Sequence, residues 1–350
     1  MAGPSVRVAL IRNSSKNYAL GSYPVVRSVM VPDRLRNIRF RGTAENDHEI
    51  SKNKDLMSSQ IRKCVAPDRN PRPPSFTVPA GSIDTHVHVF ESSYLLSPNR
   101  GYTPPDSTLE DLQHLHSALG VDRVVFTQPS VYGTDNSAIL DGMRTLNAET
   151  EGRARAVIAT GLDISDEDLA ALDADGVRGV RLNTDNIGGM PVEMSQIPDL
   201  CARIAPFGWH VEFLFAGKDI IRLMPLFAAL TVPMSIGHFA YQPATGGVKT
   251  PNFQALLELM RRGNTWMKIS GANRVSATDL PPYDDVAPMA TALIEAAPDR
   301  IMWGTDWPHP NKYEINPNDG DLLDTIGQWV SDEAMRQQIM VDTPADYYRF

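Results

Sequence analysis

In Ile83-Asp84-Thr85-His86-Val87-His88-Val89 the strand period of two places Asp84, His86 and His88 on one face and Val87 and Val89 on the other. Two imidazoles on one inward face can hold a metal or donate to a developing oxyanion. Histidines packed in a core without such a role would each need a partner, because an unpaired buried polar group is costly. In Arg300-Ile-Met-Trp-Gly-Thr-Asp306-Trp-Pro-His309-Pro310 a buried strand ends in a carboxylate, and Pro308 and Pro310 turn the chain directly afterwards. A carboxylate in that place can take a proton from water; taken alone, it could instead cap the next helix. Met234-Ser-Ile-Gly-His238 adds a third imidazole, and Gly179-Val-Arg181-Leu-Asn183 a guanidinium on the opposite strand face from Arg178. A bidentate fork of that kind suits a carboxylate or sulfonate. Arg274 follows another strand run, where an ion-paired surface arginine is the competing reading. His114 and His116, two apart on a helix, face different ways, His48 lies in the leader, and His210 supports a strand.

These groups need elements to carry them. From Ser82 onward, short β-rich runs alternate with amphipathic stretches: 82–90, 123–128, 154–160, 179–183, 210–215, 234–238, 266–270 and 301–306 read as strands. Between them, 109–119, 136–150, 166–174, 197–204, 220–230, 253–262 and 286–297 carry apolar residues at helical spacing. Eight sequential βα units require right-handed crossovers and a parallel sheet, which closes into a (β/α)8 TIM-like barrel. No GxGxxG follows a strand, as a doubly wound dinucleotide fold would require. Closure makes the first and last strands neighbours, so Asp306 and the pair His86 and His88 should share one site.

Residues 1–77 read as an N-terminal extension with a proline-rich linker at Pro67 to Pro74, and residues 78–350 as the barrel. The leader lacks the apolar core of a secretory signal. It is rich in Arg and Ser like a transit peptide, but Asp33, Glu45, Asp47, Glu49 and Asp55 weaken that reading. The chain of 350 residues has a formal charge of −9, unevenly spread. Residues 1–75 hold 14 of the 33 Lys/Arg and 6 of the 42 Asp/Glu, leaving 19 and 36 for the body. An acidic body argues against nucleic acid as partner, and no apolar run is long enough to span a bilayer. Cys64 and Cys201 lack any CxxC or framework spacing and read as free thiols of a cytoplasmic protein. The expected partner is a small anionic substrate, and the chain is a candidate homo-oligomer.

The HxH opening, Tyr102-Thr103-Pro104, Gln128-Pro129-Ser130, Gly176 to Asn183, Gly208-Trp-His-Val211, His238 and Trp303 to Pro310 together resemble the amidohydrolase-related lactonases of the amidohydrolase superfamily. Within these, the resemblance is to 2-pyrone-4,6-dicarboxylate hydrolases and sulfomuconolactone hydrolases, from about residue 78 to residue 350. It implies a hydrolase of a small anionic lactone in aromatic-compound catabolism, with Asp306 as the base that activates water and His238 beside the reacting carbonyl. It also implies that Arg181, Arg274, Tyr102 and Ser130 grip the substrate. Three positions depart from the pyrone enzymes: Ile187 and Tyr241 replace arginines, and Leu214 a tyrosine. Those losses put a planar dicarboxylate in doubt.

Zinc is the candidate cofactor. His86, His88 and Asp306 with one water would meet the three-ligand rule for catalytic Zn2+. Mononuclear members of the superfamily add a fifth-strand histidine, where this chain reads His210-Val-Glu-Phe-Leu-Phe215 with Leu214 at the ligand position, and pyrone hydrolases, by the same resemblance, work without metal. The competing enzyme is a metal-dependent decarboxylase of an aromatic or unsaturated acid, which leans on that fifth-strand histidine. A non-catalytic scaffold would have no use for three histidines, an arginine and an aspartate at one barrel mouth.

Overall fold

The computed structural model describes residues 61–350; of the extension read over residues 1–77, residues 1–60 lie outside the described residues. Eight parallel strands follow one another in sheet order, β1 to β8, each next to its neighbour in sequence. They are β1 (Ile83–Val87), β2 (Arg123–Thr127), β3 (Ala154–Ile158), β4 (Val177–Asn183), β5 (His210–Leu214), β6 (Met234–Ile236), β7 (Thr265–Lys268) and β8 (Ile301–Met302). The helices that alternate with and follow them are α1 (Leu109–Leu119), α2 (Ser137–Glu149), α3 (Asp166–Asp175), α4 (Ile197–Ile204), α5 (Ile220–Ala229), α6 (Pro251–Arg261), the short α7 (Ala272–Val275), α8 (Ala287–Ala296), α9 (Asp319–Trp329), α10 (Glu333–Gln337) and α11 (Thr343–Tyr348). This is the TIM-like barrel that the alternation of periods predicts. Local chemistry delimits the helices. Thr108 and Asp111 form a reciprocal capping box at the start of α1, and Gly120 ends it with φ 73°.

The eighth strand is shorter than the run 301–306 predicts. From Trp303 the chain leaves regular pairing and is tied to β1 by separate bonds: Thr85 N–H to Trp303 O at 3.2 Å, Asp306 N–H to His86 O at 2.9 Å and His88 N–H to Trp307 O at 2.9 Å. Buried Asp84 secures the same seam, accepting from Thr305 N at 2.9 Å and Thr305 Oγ1 at 2.6 Å. His116, which the sequence leaves without a role, reaches the other side of that carboxylate with Nε2 3.2 Å from Asp84 Oδ2. The floor, where the strands begin, is filled by α11: Tyr348 packs with Ile83, Val125, Val157 and Met302.

Residues 61–77 run without regular structure beside the barrel. Cys64 N–H donates to Thr103 O and Thr103 N–H to Arg62 O, both at 2.8 Å, while Val65 N–H reaches Lys312 O at 3.0 Å. Two loops at the mouth, around Thr103 and Lys312, are thereby joined through this segment.

Candidate active site

The carboxyl ends of the strands surround a pocket of about 320 Å3 of empty space, lined by His88, Tyr102, Ser130, Arg181, His238, Arg274 and Asp306 among others. The structure thus brings together every site residue named from the sequence except His86, which lies beneath the lining with its ring 5.0 Å from that of His88 and 4.6 Å from that of His238. Leu214 and Tyr241 also line the pocket, whereas Ile187 is 57% exposed. Asn183, Asn186 and Asn311 contribute further lining that the sequence did not single out.

Backbone geometry sets the two key groups. Asp306 has φ 66°, and the four residues His238 to Tyr241 have φ between 50° and 56°, left-handed values that non-glycine residues seldom hold. The turn ends β6 abruptly and brings His238 Nε2 to 3.5 Å from Asp306 Oδ1. Its other ring nitrogen lies 2.9 Å from Ser270 Oγ. His86 Nε2 stands 3.9 Å from the same Asp306 oxygen and has no hydrogen-bond partner among the described residues. Asp306 Oδ2 accepts from Arg274 Nε, and Arg274 also donates to Pro310 O at 2.9 Å. Arg274 is therefore no solvated surface residue: it is spent first on the carboxylate.

The charges follow from these contacts. Burial alone would raise the Asp306 pKa, but the Arg274 guanidinium holds it down at about 2, so the carboxylate is ionised. Burial pushes His88 and His238 down to about 3, with Arg181 adding for His88 and Arg274 for His238. His86 lies well below its ordinary value, from burial and then the Lys268 ammonium. All three imidazoles are neutral at pH 7. Arg181 is buried and donates to Gln128 O at 2.8 Å, while its Nε has no hydrogen-bond partner among the described residues.

Beneath the histidines lies a pair that the sequence reading passed over. Lys268 and Glu212, 0% and 1% exposed, form an ion pair inside the barrel, and the ammonium also donates to Thr85 O at 2.7 Å. Strand alternation does place Glu212 on the same face as His210 and Leu214. The signal was present, but charged residues are almost never fully buried unless paired, and the partner is 56 residues away.

His86, His88 and Asp306 each bring one candidate donor atom, all within 4.8 Å of one another. His88 Nδ1 lies 2.6 Å from Thr127 O, which only accepts, so Nδ1 carries the proton and Nε2 its lone pair.

The amidohydrolase family pattern matches residues 83–350. Over 289 residues the chain is 37% identical to 4-sulfomuconolactone hydrolase of Hydrogenophaga intermedia, covering 81% of this chain and 93% of that one. It is 36% identical to 2-pyrone-4,6-dicarboxylate hydrolase of Comamonas testosteroni over 80% of this chain and 93% of the relative. Among solved structures, a ligand-free protein of Agrobacterium tumefaciens superposes with a TM-score of 0.68 at 29% identity, covering 79% of this chain and 98% of the other.

Proposed function

Since the chain belongs to the amidohydrolase family, we propose that it opens a small anionic lactone by adding water to the ring carbonyl, with Asp306 as the group that takes the water proton. One observation carries this reading: a single pocket holds an ionised carboxylate, Asp306, facing neutral imidazoles, and a buried guanidinium, Arg181, with no carboxylate paired to it among the described residues. The first pair suits acyl chemistry with water, and the second suits an anionic substituent. The names of the two hydrolases above support the substrate class, a muconolactone, sulfomuconolactone or pyrone-carboxylate type.

In the proposed reaction, water between Asp306 and the carbonyl carbon loses a proton to Asp306 as its oxygen bonds to carbon. The carbonyl oxygen becomes an oxyanion next to His86 and His238. Collapse breaks the ring carbon–oxygen bond, and the proton held on Asp306 passes to the departing ring oxygen, leaving a hydroxy acid or its enol. Arg274 keeps Asp306 ionised but, by the same contact, weakly basic. An anionic substituent that shares Arg274 would return basicity to the carboxylate. Arg181, with Ser130 and Tyr102, would hold the substrate's charge.

The family and the group of His86, His88 and Asp306 raise the question of zinc. His88 fits, because its Nε2 lone pair is free for a ligand bond. His86 does not fit in the observed arrangement: its Nδ1 faces the Lys268 ammonium at 3.4 Å and, as an acceptor there, leaves the proton on Nε2, while Arg274 holds Oδ2 of Asp306 and leaves Oδ1 open. One of the three donors is then blocked by its own proton, and no step is routed through a metal.

The test is a panel of muconolactones, sulfomuconolactones and pyrone carboxylates, followed by ring absorbance and product mass. Ring opening with a gain of one water is the expected result. Release of carbon dioxide from an aromatic acid instead would establish the decarboxylase.

A further inference from the structure

Lys268 is a fully buried ammonium, and such a group needs an acceptor for each of its three protons. The structure supplies three: Thr85 O at 2.7 Å, Glu212 Oε2, and His86 Nδ1 at 3.4 Å. Glu212 Oε1 also lies 3.4 Å from His86 Nδ1, so the ring nitrogen stands between a cation and an anion. Two proton arrangements are open to the neutral ring. If Nδ1 carried the proton, it would point an N–H at an ammonium and strip Lys268 of its third acceptor, and the Nε2 lone pair would face the Asp306 carboxylate 3.9 Å away. If Nε2 carries it, Lys268 is satisfied and an N–H points toward Asp306. The contacts with Lys268 and Asp306 favour the second; the Glu212 Oε1 contact, an ion-pair distance without hydrogen-bond geometry, favours the first.

We propose that Lys268, anchored by Glu212, is a positioning residue that fixes His86 as the Nε2–H tautomer, so that this ring donates a hydrogen bond to the carbonyl oxygen of the lactone. The state of Nε2 agrees with this: among the described residues it has no hydrogen-bond partner, and the nearest carboxylate oxygen, Asp306 Oδ1, is 3.9 Å away. His86 and His88 then differ in kind although they sit two residues apart. Thr127 O holds His88 with its lone pair toward the site, and Lys268 holds His86 with its proton toward the site. The role in catalysis rests on the lactonase reading; the tautomer does not.

The test uses the full-length protein labelled with 15N-histidine. Long-range 1H–15N spectra should show His86 with a protonated Nε2 and an unprotonated Nδ1. Lys268→Met leaves Glu212 as the neighbour of Nδ1, so the tautomer should invert. In that variant kcat should fall about 100-fold with KM little changed, the loss typical of one oxyanion donor. Zn2+ added alone should bind the native protein more weakly than it binds Lys268→Met. If Lys268→Met does not fold, neutron diffraction of the native protein decides: deuterium on Nε2 supports the assignment. Deuterium on Nδ1, or tight zinc binding through His86 Nε2 in the native protein, overturns it. A correct tautomer with no lactone opened would remove the lactonase reading and leave this assignment standing.

Discussion

At the residue scale, Asp306 combines two properties that usually exclude each other, full ionisation and burial, and Arg274 reconciles them. Asp306→Asn preserves shape but cannot accept the water proton, so kcat should drop at least 100-fold in a protein whose circular dichroism is unchanged. Near-normal turnover in that folded variant would remove Asp306 from the chemistry. Arg181→Met should raise KM for an anionic lactone well above its effect on a neutral analogue, because the lost interaction is specific to charge; equal losses on both would mark the arginine as structural. Most of these residues were legible in the sequence because strand alternation and strand ends place them. The pairing of Arg274 with Asp306 was not, since it depends on a helix of four residues, α7, that periodicity cannot resolve.

At the element scale, the site depends on turns as much as on strands. Gly271, after β7, has φ 63°, and a Cβ there would stand 2.9 Å from His238 Nδ1, where Ser270 Oγ now bonds. Gly271→Ala therefore meets a left-handed backbone penalty of about 1 kcal/mol and pushes directly on the imidazole. The expected outcome is a fall of a few degrees in Tm and a loss of activity of at least tenfold, read by calorimetry and turnover on the same sample. A loss of Tm without loss of activity would show that His238 is placed by something other than this contact. The strands and helices were legible because hydrophobic period reports burial. The run of positive φ from His238 to Tyr241 was not, because these residues carry no glycine or asparagine to announce it.

At the scale of the whole molecule, burial of neutral histidines sets the response to acid. His86, His88, His210 and His238 are all pushed below the ordinary value of 6.5, His88 and His238 to about 3, with burial the first cause. The unfolded chain takes up protons below pH 6.5 that the native protein refuses. Their contribution to stability is therefore complete above that pH and is lost progressively as pH falls toward 3. Urea midpoints should decline between pH 6.5 and 4.5, before most carboxylates titrate, and His210→Gln should flatten the decline. A midpoint constant across that range would mean that the native protein accepts these protons. The body's acidity and its barrel were legible from composition and period, whereas the floor made by Tyr347 and Tyr348 was not, because no local pattern marks a helix that plugs the far end of the strands.

The seam between β1 and the segment after β8 joins residues such as Asp84 and Thr305 that are 221 positions apart. His86 and His88 lie on one side of it and Asp306 on the other. The loop-closure entropy for that contact is among the largest the chain must overcome, so it belongs to the slow end of folding. The proposed centre is then completed late in folding. During refolding from urea, the helical far-ultraviolet circular dichroism should recover ahead of turnover, with the interval between them timing the closure of the ring.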